Sequence, residues 1–145
     1  FLLKNKKHNM NRIFSNLDLE GLFTSKEKIL NIYDFKNNIE EIFKNNKFFN
    51  LKLHQFLKNL KKINLNSFDT VYIDSNNFIK NDKFFEFLHS LSNSNKKIII
   101  KITYYVKIEN QLSYTLISNI NDFLFEKFSF FRKIKNIRSD ILIAK

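Results

Sequence analysis

The chain contains no cysteine, no proline and no tryptophan, and its single glycine is Gly21. Without cysteine there is neither a disulfide framework nor a thiolate metal site, which disfavours a small secreted domain and fits a reducing or organellar interior. Without proline or a Ser/Gly-rich stretch no linker marks a boundary, and 145 residues are enough for one domain with one sizeable core. With one glycine there is no Gly-x-Gly turn, no phosphate loop and no Gly-x-Ser-x-Gly elbow. Long apolar runs are also missing. The stretch "KKIIIKITYYV" is broken by lysine well short of the roughly 18 residues that cross a bilayer. The opening "FLLKNKKHNMNR" lacks an initiator methionine, as a processed product or a fragment would, and its apolar segment is too short for a signal peptide.

What is abundant is 18 phenylalanines and an excess of Asn, Lys and Ile. AT-rich codons favour these residues, so the pattern points to the kind of genome found in organelles, endosymbionts, some parasites and viruses. A mitochondrion or another AT-rich compartment is the expected location. Formal net charge is +11, from 25 Lys plus Arg against 14 Asp plus Glu. A surface of this sign attracts polyanions by counterion release, and nucleic acid, RNA in particular, is the expected partner.

Apolar spacing organises the chain. In "FKNNIEEIFKNNKFF" the residues Phe35, Ile39, Ile42 and Phe43 recur at helical spacing, with Glu40 and Lys44 as an i,i+4 pair. In "LHQFLKNLKKI" Leu53, Phe56, Leu57, Leu60 and Ile63 do the same, leaving Lys58, Lys61 and Lys62 on the outer arc. Residues 1–67 thus read as mainly helical and basic, with a strand around Lys28 to Tyr33. From Phe68 onward the pattern alternates. "FDTVYID" reads as a buried strand, "KNDKFFEFLHSLSNSN" as a helix capped by Asn81 or Asp82 with Phe84, Phe85, Leu88 and Leu91 inward. "KKIIIKIT" reads as a strand buried on both faces, and "NQLSYTLISNINDFLFEKF" as the longest helix. "FSFFRKI" and "DILIA" close the chain as an antiparallel pair. Strands alternating with helices predict an α/β fold with a mixed sheet and a C-terminal β-hairpin.

His8, His54 and His89 show no paired spacing and lack cysteine partners, so no metal site is expected. Glu40 and Glu41 are neighbours on a solvated face. The basic candidates for RNA contact are Lys4, Lys6, Lys7 and Arg12, then Lys58, Lys61 and Lys62, then Arg132, Lys133, Lys135 and Arg138, the last four crowding one hairpin turn. Phosphate contact is the expected mode, which positions without reading sequence. Phe128, Phe130 and Phe131 are assigned to the core rather than to base stacking.

The acid ending "FDTVYID", the lysine inside "IIIKIT" and the hairpin carrying "RSDILIA" resemble the C-terminal half of a Rossmann-like methyltransferase. More narrowly, they resemble the FtsJ-type RNA ribose 2′-O-methyltransferases. The resemblance spans residues 68–145 and implies a sheet with helices on both faces. It assigns Asp74, Lys101 and Asp140 to the family's catalytic tetrad, the Ser-Asp pair standing where the family has Ser-Glu. A lysine oriented by carboxylates could accept or polarise a ribose hydroxyl proton. The family holds S-adenosylmethionine at a glycine-rich turn after its first strand, and nothing here supplies one. Either the cofactor half precedes Phe1 or the scaffold has lost catalysis and needs no cofactor. The second case makes the chain an RNA-associated structural protein, such as a divergent organellar ribosomal protein among other proteins of that particle. The first makes it an RNA methyltransferase. A soluble accessory subunit of an organellar membrane complex is the third expectation.

Overall fold

The computed structural model describes residues 23–34, 37, 39–75, 82–103, 111–135 and 139–145. Six strands form one mixed sheet: β1 (Lys28–Tyr33), β2 (Lys47–Lys52), β3 (Thr70–Ser75), β4 (Lys97–Thr103), β5 (Phe131–Lys135) and β6 (Ser139–Ala144). The spatial order is β2-β1-β3-β4-β6-β5. The first four strands are parallel, whereas β6 runs antiparallel between β4 and β5. The final strand is therefore interior, and β5 takes the margin. This is a Rossmann-like α/β arrangement with a C-terminal antiparallel hairpin, as the alternation of strand and helix patterns predicts.

Among the described residues four helices accompany the sheet: α1 (Ile39–Ile42), α2 (Leu53–Lys58), α3 (Asp82–Ser92) and α4 (Gln111–Lys127). Successive side chains on a strand point to opposite faces, and the apolar residues sort accordingly. On one face Leu30, Ile32, Val71, Ile73, Ile98, Ile100 and Leu142 lie beneath Phe56 of α2, Phe84, Leu88 and Leu91 of α3, and Ile120 and Leu124 of α4. Each fully buried Leu or Ile contributes roughly 1.5–3 kcal/mol relative to leaving it in water. On the other face Ile29, Tyr72, Ile99, Ile141 and Ile143 join Ile39 of α1 and Phe23. Helices thus occupy both faces, the larger core lying under α2, α3 and α4.

The predicted strand at Lys28 to Tyr33 is β1. Elsewhere before Phe68 the described residues mix helix with strand, and residues 1–22 lie outside them. The segment around Ile39 makes a single turn, and "KFFNLK" is β2. Asparagine side chains that bond backbone compete with helix: Asn46 Nδ2 donates to the carbonyls of Thr24 at 2.6 Å and Glu27 at 3.2 Å. Phe48 and Leu51 then fall on opposite faces of a ladder with β1. The expected Glu40–Lys44 pairing is replaced, since Glu40 Oε1 accepts from Asn50 Nδ2 of β2 at 2.6 Å and Lys44 lies past the end of α1. The second predicted helix stops at Lys58, and Leu60–Lys62 continue as one 3-10 turn. Asn81 lies outside the described residues, while Asp82 opens α3.

Phe128 is buried as expected, and Phe131 is half-buried against Phe125. The core assignment fails for Phe130, which is 52% exposed. It precedes β5 and pairs its backbone with Lys145 in both directions at 3.0 Å.

Candidate functional site at the carboxyl ends of the strands

In an open α/β sheet, ligands bind beyond the carboxyl ends of the parallel strands, where strand order reverses direction. Here that point lies between β1, whose chain leads outward to β2, and β3, which leads to β4 on the other side. The chain therefore contains the strands of a switch point. Residues 28–52 supply β1 and β2, the two strands of the sheet that the sequence resemblance does not cover.

The register places Asp74 of β3 beside Tyr33 of β1 and Lys101 of β4. Two of the three predicted catalytic residues thus stand on adjacent strands, on the same face, at the carboxyl end. Burial raises the Asp74 pKa above the ordinary carboxylate range. Lys101 and a hydrogen bond from Asn37 oppose that rise, and Asp34 adds to it. The hydroxyl of buried Tyr72 is pushed well above its usual value, first by burial and then by Asp74.

The third predicted residue is not brought to this place. Asp140 pairs with Ile102, whereas Lys101 pairs with Ile141. The pleat therefore turns Asp140 to the face opposite Asp74 and Lys101. Asp140 is buried and lies 3.8 Å from Lys133 Nζ of neighbouring β5. The Ser-Asp pair that opens β6 belongs to the hairpin and not to a shared Asp-Lys-Asp centre.

Sequence reasoning missed a chain of polar side chains that crosses the switch point. Asn31, buried in the middle of β1, donates to Asn37 Oδ1 and to Asn50 Oδ1, both at 3.0 Å. Asn37 Nδ2 donates back to Asn31 Oδ1 at 3.1 Å and on to Asp74 Oδ2 at 3.3 Å. With Glu40 on Asn50, five side chains link the β2 margin to β3. The signal for it was one polar residue at the centre of an apolar strand, "KILNIY".

This chain of contacts bears on the cofactor that the fold class commonly holds. A nucleoside-bearing cofactor needs backbone approach after β1, which glycine permits because it has no Cβ. Residues 34–38 read Asp-Phe-Lys-Asn-Asn. The side chain of Asn37 spans the strand ends where such an approach would be made, and its amide is fully engaged with Asn31 and Asp74. These residues do not fit S-adenosylmethionine as a glycine-rich turn would.

The basic candidates are dispersed. Lys58, Lys61 and Lys62 are exposed on α2 and the turn after it, and α2 packs on β1 and β2. Arg132, Lys133 and Lys135 are exposed on β5, at the other margin of the sheet. Five inter-strand spacings separate the two margins, roughly 24 Å. Nor do the β5 cations crowd one surface: Arg132 faces one side of the sheet, Lys133 and Lys135 the other, because the pleat alternates. Lys4, Lys6, Lys7, Arg12 and Arg138 lie outside the described residues. Among the described residues there is no cluster of metal-ligating side chains, and no helix is long and apolar enough to cross a membrane.

No protein-family model matches the chain, and no curated protein matches it in sequence. It is similar to a solved fibrillarin/Nop5p complex at 11% identity and a TM-score of 0.46, over 89% of this chain and 78% of that one. It is also similar to a release-factor-specific protein-(glutamine-N5) methyltransferase from Alicyclobacillus acidocaldarius at 8% identity and a TM-score of 0.44, over 85% and 83%. The strand order and register above define the fold independently of these likenesses.

Proposed function

We propose that the chain is a non-catalytic, RNA-associated structural protein, a component of a ribonucleoprotein particle such as an organellar ribosome, built on a methyltransferase-like scaffold that uses no cofactor. The observation that carries this reading is the Asn37 side chain, which bonds Asn31 of β1 and Asp74 of β3 at the strand ends where an enzyme of this fold would hold its cofactor. A fold can persist after its site is lost. Two features supply the other half of the reading. The net charge of +11 suits a polyanionic partner, and the excess of Asn, Lys, Ile and Phe, which AT-rich codons favour, suits a mitochondrion or a similar compartment. Lys58, Lys61, Lys62, Arg132, Lys133 and Lys135 are exposed cations available for phosphate contact.

Sedimentation of the native protein in an organelle or cell lysate, with and without RNase, tests this. Migration in a large particle that RNase disperses is the expected result; migration as a free small protein in both samples would overturn it.

One observation favours a second reading, an RNA 2′-O-methyltransferase: Asp74 and Lys101 are register neighbours at the carboxyl end of the sheet. That reading requires S-adenosylmethionine to bind the purified protein and Lys101→Ala to abolish methyl transfer without unfolding. Calorimetry showing no binding of the cofactor removes it.

A further inference from the structure

The amino-terminal edge of the parallel strands, opposite the Asp74 end, carries a cleft of about 510 Å³. It is bounded by the turn that enters β1, by Asp69 before β3, by the turn that enters β4 and by Lys145 after β6. Four lysines line it, Lys26, Lys96, Lys97 and Lys145, against two acids, Glu27 and Asp69.

Both acids are turned to internal tasks. Glu27 accepts from the Thr24 amide at 2.9 Å and from the Thr70 hydroxyl, and pairs with Lys97 Nζ at 3.3 Å. Asp69 Oδ2 accepts from the Lys28 amide at 2.9 Å. Lys26, Lys96 and Lys145 have no ion pair among the described residues, so the cleft keeps uncompensated positive charge. Its remaining lining is polar: Thr24, Ser25, Ser94 and Asn95. A pocket of this volume is in the range of ligand sites, but with this lining it suits a charged ligand rather than an apolar one.

A second, independent observation falls in the same place. Among the described residues two non-glycine residues have positive φ, Lys26 at 67° and Asn95 at 57°, and both line this cleft. Left-handed backbone costs a residue such as Lys26 roughly 1–2 kcal/mol, whereas asparagine adopts it more readily, and such conformations cluster where ligands are held.

We propose that this cleft is a phosphate-binding site, and, resting on the RNA reading above, that its ligand is the RNA backbone. Phosphate oxygens would accept from the lysine ammonium groups and from the Ser25 and Asn95 side chains. The contact is sequence-independent, since only backbone groups are addressed.

The full chain tests this in two arms. In the first, inorganic pyrophosphate is titrated while amide shifts are followed by NMR. Saturable shifts confined to residues 24–27 and 94–97 are expected, and their absence overturns the cleft as a phosphate site. In the second, binding of a single-stranded RNA is measured against salt for the wild type, for K26Q/K96Q/K145Q and for K58Q/K61Q/K62Q, each checked for native circular dichroism. Losing three phosphate contacts should flatten the slope of log K against log salt by about 2. That loss in the cleft variant, with a smaller one in the other, is the expected result. If the two variants lose equally, or the cleft variant loses nothing, the RNA path does not run through the cleft. If pyrophosphate binds and wild-type RNA binding is absent, the RNA source is overturned and the cleft takes a small phosphorylated ligand. A failure of the cleft and a failure of the RNA reading are thereby distinguished.

Discussion

Asn37 donates to Asp74 across the gap between β1 and β3, Nδ2 to Oδ2 at 3.3 Å. A residue beyond the end of β1 thus ties the two strands where their chains diverge, and it does so onto a carboxyl whose pKa burial raises.

The pH dependence of stability follows from that carboxyl. The Asp74 pKa is raised in the folded chain, with burial as the main cause, so the native state binds its proton more tightly than the unfolded chain does. Its contribution to stability is fully present below the unfolded value of about 3.9 and is lost as pH rises through the folded one. Asp74→Asn keeps an acceptor for Asn37 and removes the buried charge. Thermal melts should show the variant more stable than the wild type at neutral pH, with the difference vanishing at about pH 3–4. A variant less stable at pH 7 would place the net value of the ionised Asp74–Lys101 pair above its burial cost.

Asn31 has the opposite character. Its amide serves both Asn37 and Asn50 from a fully buried position, so Asn31→Ala leaves their oxygens without that donor. Urea unfolding should show a loss of about 2–3 kcal/mol.

Glu27 holds three elements at the amino-terminal edge, bonding the Thr24 amide, the Thr70 hydroxyl and Lys97. Glu27→Ala strands the half-buried ammonium and should cost roughly 3 kcal/mol in denaturant unfolding. Lys133→Gln breaks an ion pair at 3.8 Å whose lysine is exposed. It should cost no more than about 1 kcal/mol.

Aromatic and aliphatic positions on the helices should separate by burial. Leu88→Ala in α3 empties a site of 0% exposure and should cost about 2–5 kcal/mol. Phe125→Ala in α4, at 70% exposure, should stay within roughly 0.5 kcal/mol of the wild type. Equal losses at the two sites would contradict the orientation of α4.

The alternation from Phe68 onward was legible because its strands are short runs rich in β-branched residues, and its helices carry Phe and Leu at three- and four-residue spacing. Leu88 and Leu91 fell inward for that reason. Around Ile39 the same spacing misled: Ile39, Ile42 and Phe43 match a helix, yet the helix ends at Ile42, Asn46 bonds its side chain to the Thr24 and Glu27 carbonyls, and Lys47–Lys52 form β2. At the site, Asp74 beside Lys101 could be anticipated from strand-end residues. The turning away of Asp140 could not, since a shift of one residue in register decides which face a strand residue takes. The lysines of the amino-terminal cleft are spread from Lys26 to Lys145, and only the sheet brings them together.

Among the described residues β2 and β5 are the outer strands, and both are cationic: Lys47 and Lys52 on β2, Arg132, Lys133 and Lys135 on β5. A bare strand is a template for another copy's strand, and lysine on the margin opposes that addition. A second molecule approaching edge to edge would set like charges against each other, which opposes strand pairing between copies. Repulsion of this kind decays over about 10 Å at 0.1 M salt. The tolerance of this phenylalanine-rich chain to crowding is therefore set by the ionic strength around it.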